Sequence, residues 1–164
     1  MDVLRQKLEA ANDEVARRLE ILGTDFVRPD GSRMDACATG EAFKARIVAG
    51  TRALRVGDPA LETTQMGPLI SAAHRESVAA YVTDSTNVVI RGQVPEGPGF
   101  WYPATVVVPS SESDPLMQEE TFGPIVAVMP FDDEADAIRL TNATPYGLSG
   151  SIWTRDVGRA IRVS

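Results

Sequence analysis

The spacing of apolar positions changes part-way along the chain. Near the start, Leu4, Leu8, Ala11, Val15 and Leu22 recur three, four or seven residues apart, which places them on one face of a helix. Asp2 is available as an N-cap and Gly23 closes the run, with Lys, Arg, Glu and Asp on the opposite face. The stripe suits an amphipathic helix packed on a core, or a short coiled coil with a partner chain; Arg18 interrupts the heptad. The segment that follows is rich in turn formers. In it Pro29-Asp30-Gly31 is a turn, because proline presets φ and glycine accepts a positive one. The pattern divides near Gly40.

From Glu41 onward, helical and extended patterns alternate. EAFKARIVAGTRALRVG sets Phe43, Ile47, Val48, Ala53 and Leu54 broadly on one helical side, with Gly57 after the end. SAAHRESVAAYV starts at Ser71 as a cap and carries His74, Val78 and Tyr81 on one face. NVVIRG is a short strand, and the Gly/Pro loop of GPGFWYPATVVVP leads to a strand over Ala104–Val108. A further strand is predicted over Ile125–Met129. The helix after it is capped by Asp133 or Asp132 and buries Ala137, Ile138 and Leu140. LSGSIWT is another predicted strand, and DVGRAIRVS begins a helix. Strands separated by helical segments predict an α/β layer with a mainly parallel or mixed sheet.

Composition narrows the function classes. A chain of 164 residues with 43% hydrophobic and 24% charged residues is long and apolar enough for a folded core. Its net charge of −7 disfavours nucleic-acid binding by phosphate neutralisation. A single cysteine, Cys37, allows no internal disulfide, which suits a reducing cytoplasm. The first residues are charged rather than basic-then-apolar, so no signal segment is read there. No apolar run approaches the ~20 residues needed to cross a bilayer. The expectation is a cytoplasmic protein without nucleic-acid or membrane partners.

Most site chemistry lacks its residues. One His and one Cys, far apart, do not make a zinc site, and no metal ligands are assigned. His74 lies on a helix face beside Arg75 and Glu76, where packing or surface exposure competes with catalysis. Cys37 is placed in a polar loop without an evident base, which favours an incidental thiol over a nucleophile. No phosphate-cradling glycine motif follows a strand.

What remains is MQEETFGPIVAVMPF, with Glu119 and Glu120 at the mouth of a strand. Glutamates there are commonly solvated. A carboxylate at a strand end can also accept two hydrogen bonds from a vicinal diol such as a ribose. Phe122 is either a core residue or a surface for a flat ring. Gly123 would let the backbone turn sharply, and Pro124 suits the first residue of a strand.

The chain resembles the aldehyde dehydrogenase family. ALRVGDP, TQMGPLIS with His74, GFWYPATVV, QEETFGPIVAV and TNATPYGLSGSIWTRD follow that family's pattern in order. The resemblance covers about Glu41 to Ser164 and implies the C-terminal portion of a catalytic domain: part of its α/β sheet with flanking helices. Residues 1–40, a helix and loop, match nothing recognised in the family. By resemblance Glu120 binds the hydroxyls of the nicotinamide ribose and Phe122 lies against the nicotinamide end, with NAD or NADP as cofactor. The family oxidises aldehydes to acids through a cysteine thiohemiacetal, hydride transfer and thioester hydrolysis. Here no Gly-Gln precedes Cys37, and the Glu-Leu-Gly-Gly segment that supplies the base and the glycine-bearing cofactor turn are missing. The expectation is therefore a chain truncated or fused at Gly40, with no assigned catalytic residue and no dehydrogenase activity by itself. The alternative is a non-catalytic interaction module that self-associates or docks onto full-length relatives.

Overall fold

The run Thr105-Val106-Val107 forms the centre of a three-stranded sheet. In this computed structural model residues 36–84, 86–154 and 156–164 are described. The helix expected over residues 1–22 and the Pro29-Asp30-Gly31 turn lie outside them. In chain order the described elements are α1 (Ala36–Ala53), α2 (Ala72–Ala80), β1 (Val88–Arg91), β2 (Thr105–Val107), α3 (Pro115–Gln118), β3 (Ile125–Ala127), α4 (Glu134–Thr141) and α5 (Val157–Val163).

The sheet order is β1-β2-β3, with β1 antiparallel and β3 parallel to β2. Val106 stands opposite Ile90 on one side and Val126 on the other, and a bulge interrupts β1 between Val88 and Ile90. The sheet is mixed, as the alternation of patterns predicts. All three residues of β2 are buried, so its continuous apolar reading follows from cover on both faces. The one polar side chain among them, Thr105, satisfies its hydroxyl by donating to the Pro103 carbonyl at 2.8 Å.

Local capping chemistry sets the helix starts. Ser71 Oγ accepts from the His74 N–H at 3.1 Å and opens α2. Asp114 caps α3 with Pro115 in its first turn, a helix the sequence pattern does not announce because it lasts four residues. Asp133, not Asp132, caps α4 through the Asp136 N–H at 2.8 Å, and Asp156 caps α5. Arg139 on α4 pairs with Asp136 at 2.8 Å and with Glu112 ahead of α3. The guanidinium beside Asp136 holds that carboxyl below its usual range.

Several expectations change. Cys37, expected in a loop, stands in the first turn of α1, because the helix begins at Ala36 and runs through Gly40. It also ends at Ala53, short of Gly57. The strands over 104–108 and 125–129 shorten to Thr105–Val107 and Ile125–Ala127, the residues that have partners in register. Ala137, Ile138 and Leu140 are half-buried, and no residue of α4 is fully buried. Leu148–Thr154 is not a strand: it pairs with no other strand among the described residues, and Leu148 is 97% exposed. Strand propensity without a neighbouring ladder leaves the backbone irregular.

The chain divides into two compact units, Lys44–Tyr146 and a second that includes Gly147–Ser164. The sheet, α2, α3 and α4 belong to the first. Within it, Arg55 and Gln65 close the loop after α1: the Arg55 N–H donates to Gln65 Oε1 at 3.0 Å, and the Gln65 N–H donates to the Arg55 carbonyl at 2.8 Å. That closure presents Met66–Leu69, where the Leu69 N–H donates to the Phe100 carbonyl at 3.0 Å. Among the described residues no helix is long and apolar enough to cross a membrane.

Candidate functional site

Residues 119–124 carry the chain from the end of α3 to β3, and one face of α2 grips them. His74, Val78 and Tyr81 are spaced by four and three, so they form a single stripe. The Tyr81 hydroxyl donates to Glu119 Oε2 at 2.8 Å. That hydrogen bond raises the Tyr81 phenol above its ordinary value, since only the protonated phenol can donate it, and the negative charge of Glu119 adds to the effect. His74 Nε2 lies 2.8 Å from the Phe122 carbonyl, which can only accept, so Nε2 carries the proton. Nδ1 is then the bare nitrogen, buried and without a partner. Val78, fully buried, packs directly on Gly123: a Cβ at Gly123 would lie 2.4 Å and 2.7 Å from the two Val78 methyls.

The turn itself departs from the sequence reading. The left-handed residue is Phe122, with φ 47°, and not Gly123. A residue ahead of proline is steered away from helical backbone toward extended conformations, so Pro124 constrains Gly123 and moves the turn one position earlier. Left-handed backbone at a phenylalanine costs on the order of 1–3 kcal/mol and persists only where the surroundings hold it. The glycine is needed for close approach to Val78, not for its dihedral freedom.

This geometry separates the two glutamates. Glu119 is tethered to Tyr81, while Glu120 is exposed and its side chain makes no hydrogen bond among the described residues. Phe122 is 76% exposed, which removes it from the core. A cavity of about 440 Å³ runs beside the turn, walled by Met66–Leu69, Tyr102 and Phe122–Pro124. Glu120 is not in that wall. The Tyr102 phenol is buried without a hydrogen-bond partner, and burial is the main cause raising it above its ordinary value. On the Glu119 side a second hollow of about 440 Å³ is lined by Tyr81, Thr83, Thr86, Ser110 and Asp114 among others. The segment thus borders both concavities, Phe122–Pro124 in the wall of the first and Glu119 in that of the second, with Glu120 in neither. Among the described residues no group of three or more His, Cys, Asp or Glu is placed to hold a metal.

An exposed, unpaired carboxylate is an acceptor suited to adjacent hydroxyls, and an exposed ring two residues on offers a flat apolar surface. Sequence reasoning picked out Glu120 and Phe122 but missed the tethers His74, Tyr81 and Val78. Their common helix face was legible; the segment they grip was not.

The chain belongs to the aldehyde dehydrogenase family, whose pattern matches residues 38–164. It is 42% identical over 133 residues to 2-hydroxymuconic semialdehyde dehydrogenase of Pseudomonas putida, covering 76% of this chain and 27% of that protein. It is likewise 42% identical over 129 residues to betaine aldehyde dehydrogenase 2 of Rhizobium meliloti, with the same coverage. Among solved structures, a Mycobacterium tuberculosis aldehyde dehydrogenase complexed with NAD+ superposes with a TM-score of 0.71 at 36% identity, over 77% of this chain and 27% of that one. A Staphylococcus aureus betaine aldehyde dehydrogenase in complex with NAD+ superposes with a TM-score of 0.69 at 30% identity, over 75% of this chain and 26% of that one. The chain therefore spans about a quarter of the length of these relatives.

Proposed function

We propose that this chain supplies the nicotinamide-ribose side of the cofactor site in an aldehyde dehydrogenase catalytic domain. Glu120 accepts from the two ribose hydroxyls, and Phe122 packs against the nicotinamide end of NAD or NADP. When bound, that cofactor takes up the hydride that leaves the aldehyde carbon as the aldehyde is oxidised to an acid. The contribution of this chain is to bind and orient. The single observation carrying the reading is the division of labour in the acidic pair: Glu119 is occupied by Tyr81, and Glu120 is exposed with both oxygens open. Superposition on NAD+-bound relatives supports it. By themselves these residues turn over no aldehyde. Cys37 lies in helical backbone and lacks the Gly-Gln setting of the family nucleophile.

The test is a titration of the chain with NADH into the millimolar range, followed by the amide NMR shifts of residues 120–123. Those amides should move saturably. Glu120→Gln should weaken binding by about tenfold or more, the range for losing a charged acceptor. Unmoved amides, or a Glu120→Gln chain that binds as well as its parent, would overturn the assignment. Incubation with NAD and an aldehyde panel should generate no NADH.

A further inference from the structure

We propose that α2 is the positioning element of the Glu120–Phe122 turn and that His74 is the positioning residue within it. The inference rests on the reading that Glu120 and Phe122 hold the cofactor, and it adds what aims them. A left-handed phenylalanine that is largely exposed is not held by packing of its own ring. Its backbone must be fixed from outside. The His74 Nε2–H bond to the Phe122 carbonyl acts on the peptide that follows the unusual dihedral, 48 residues away in sequence. Val78 closes on Gly123 one residue later, and Tyr81 ties Glu119 one residue before Glu120. The free glutamate and the exposed ring are thus bracketed on both sides by contacts from one helical stripe.

Histidine is suited to this place. Its ring reaches the carbonyl from the first turn of α2, a turn already fixed because the His74 N–H is donated to the Ser71 cap. The Phe122 carbonyl selects one tautomer: it can only accept, so the proton sits on Nε2. His74 therefore acts through Phe122.

The chain contains one histidine, so its imidazole nitrogens can be observed without assignment ambiguity. Nitrogen-15 spectra of the 164-residue protein should show the Nε2–H tautomer. His74→Leu, which removes the donor, should shift the Phe122 backbone carbons away from their left-handed values. It should also weaken NADH binding by about fivefold to tenfold, the range for one lost hydrogen bond. His74→Gln, whose amide reaches a similar point, should keep the Phe122 shifts and hold NADH binding within about twofold of the parent. An Nδ1–H tautomer, unchanged Phe122 shifts in His74→Leu, or equal loss in both variants would overturn the proposal. Should His74→Leu fail to fold, the parent tautomer and the His74→Gln shifts decide. A parent chain whose Phe122 shifts respond to His74 while no amide responds to NADH would defeat the cofactor reading and leave the positioning role standing.

Discussion

Adding one methyl group at Gly123 tests the contact that seats the turn on α2. Gly123 carries an unexceptional φ, so alanine is not barred by backbone conformation. Its Cβ would nevertheless lie 2.4 Å from one Val78 methyl, 2.7 Å from the other and 3.2 Å from Val78 Cβ. Carbon atoms settle at about 3.5–4.0 Å, so more than an ångström of separation must be found. Val78 cannot easily rotate away, being β-branched within a helix and fully buried. The helix and the turn must therefore part, and overpacking of this kind costs about 1–3 kcal/mol. Val78→Ala alone deletes two buried methyls and should cost about 2 kcal/mol through transfer and cavity terms. In the double variant, the space left by the valine receives the new methyl. Its loss should fall short of the sum by about 1 kcal/mol or more. Urea unfolding followed by helical circular dichroism and by tryptophan fluorescence measures all three, with coincident transitions as the check on two-state behaviour. A Gly123→Ala chain as stable as its parent, or strictly additive losses, would refute the account of this glycine.

Two further predictions concern the hydroxyls around the turn. Glu119→Gln should bring the Tyr81 phenol back toward its ordinary value near 10, read from the ultraviolet absorbance of ionising tyrosine against pH. A phenol raised by folding contributes its stability fully below the unfolded value and loses it as pH rises through the folded one. The parent should therefore lose the Tyr81–Glu119 contribution in alkali, whereas Glu119→Gln should show a flatter alkaline limb; identical limbs would sink the tether. Tyr102→Phe removes a buried hydroxyl that has no hydrogen-bond partner, so it should leave stability unchanged or raise it by up to about 1 kcal/mol. A clear loss in thermal unfolding would mean that the oxygen is satisfied after all.

What the sequence by itself determined is local. Ser71, Asp133 and Asp156 open helices where a cap three residues ahead of a backbone N–H can satisfy it, and that chemistry spans a single turn. The run at 104–108 was legible as a strand from its composition, and Glu120 and Phe122 stood out as residue types at a strand mouth; the run from Ile125, legible as a buried strand, is only partly covered, with Val126 exposed. Tertiary structure decided the rest. The left-handed Phe122 and the division between a tethered and a free glutamate depend on partners 48 and 38 residues away, and nothing near position 120 encodes them. Leu148–Thr154 has the composition of a strand yet forms none, because a strand exists only with a neighbour to bond. Propensity and capping act over a few residues and can be read along the chain. A turn held against its own dihedral preference is the work of the helix beneath it.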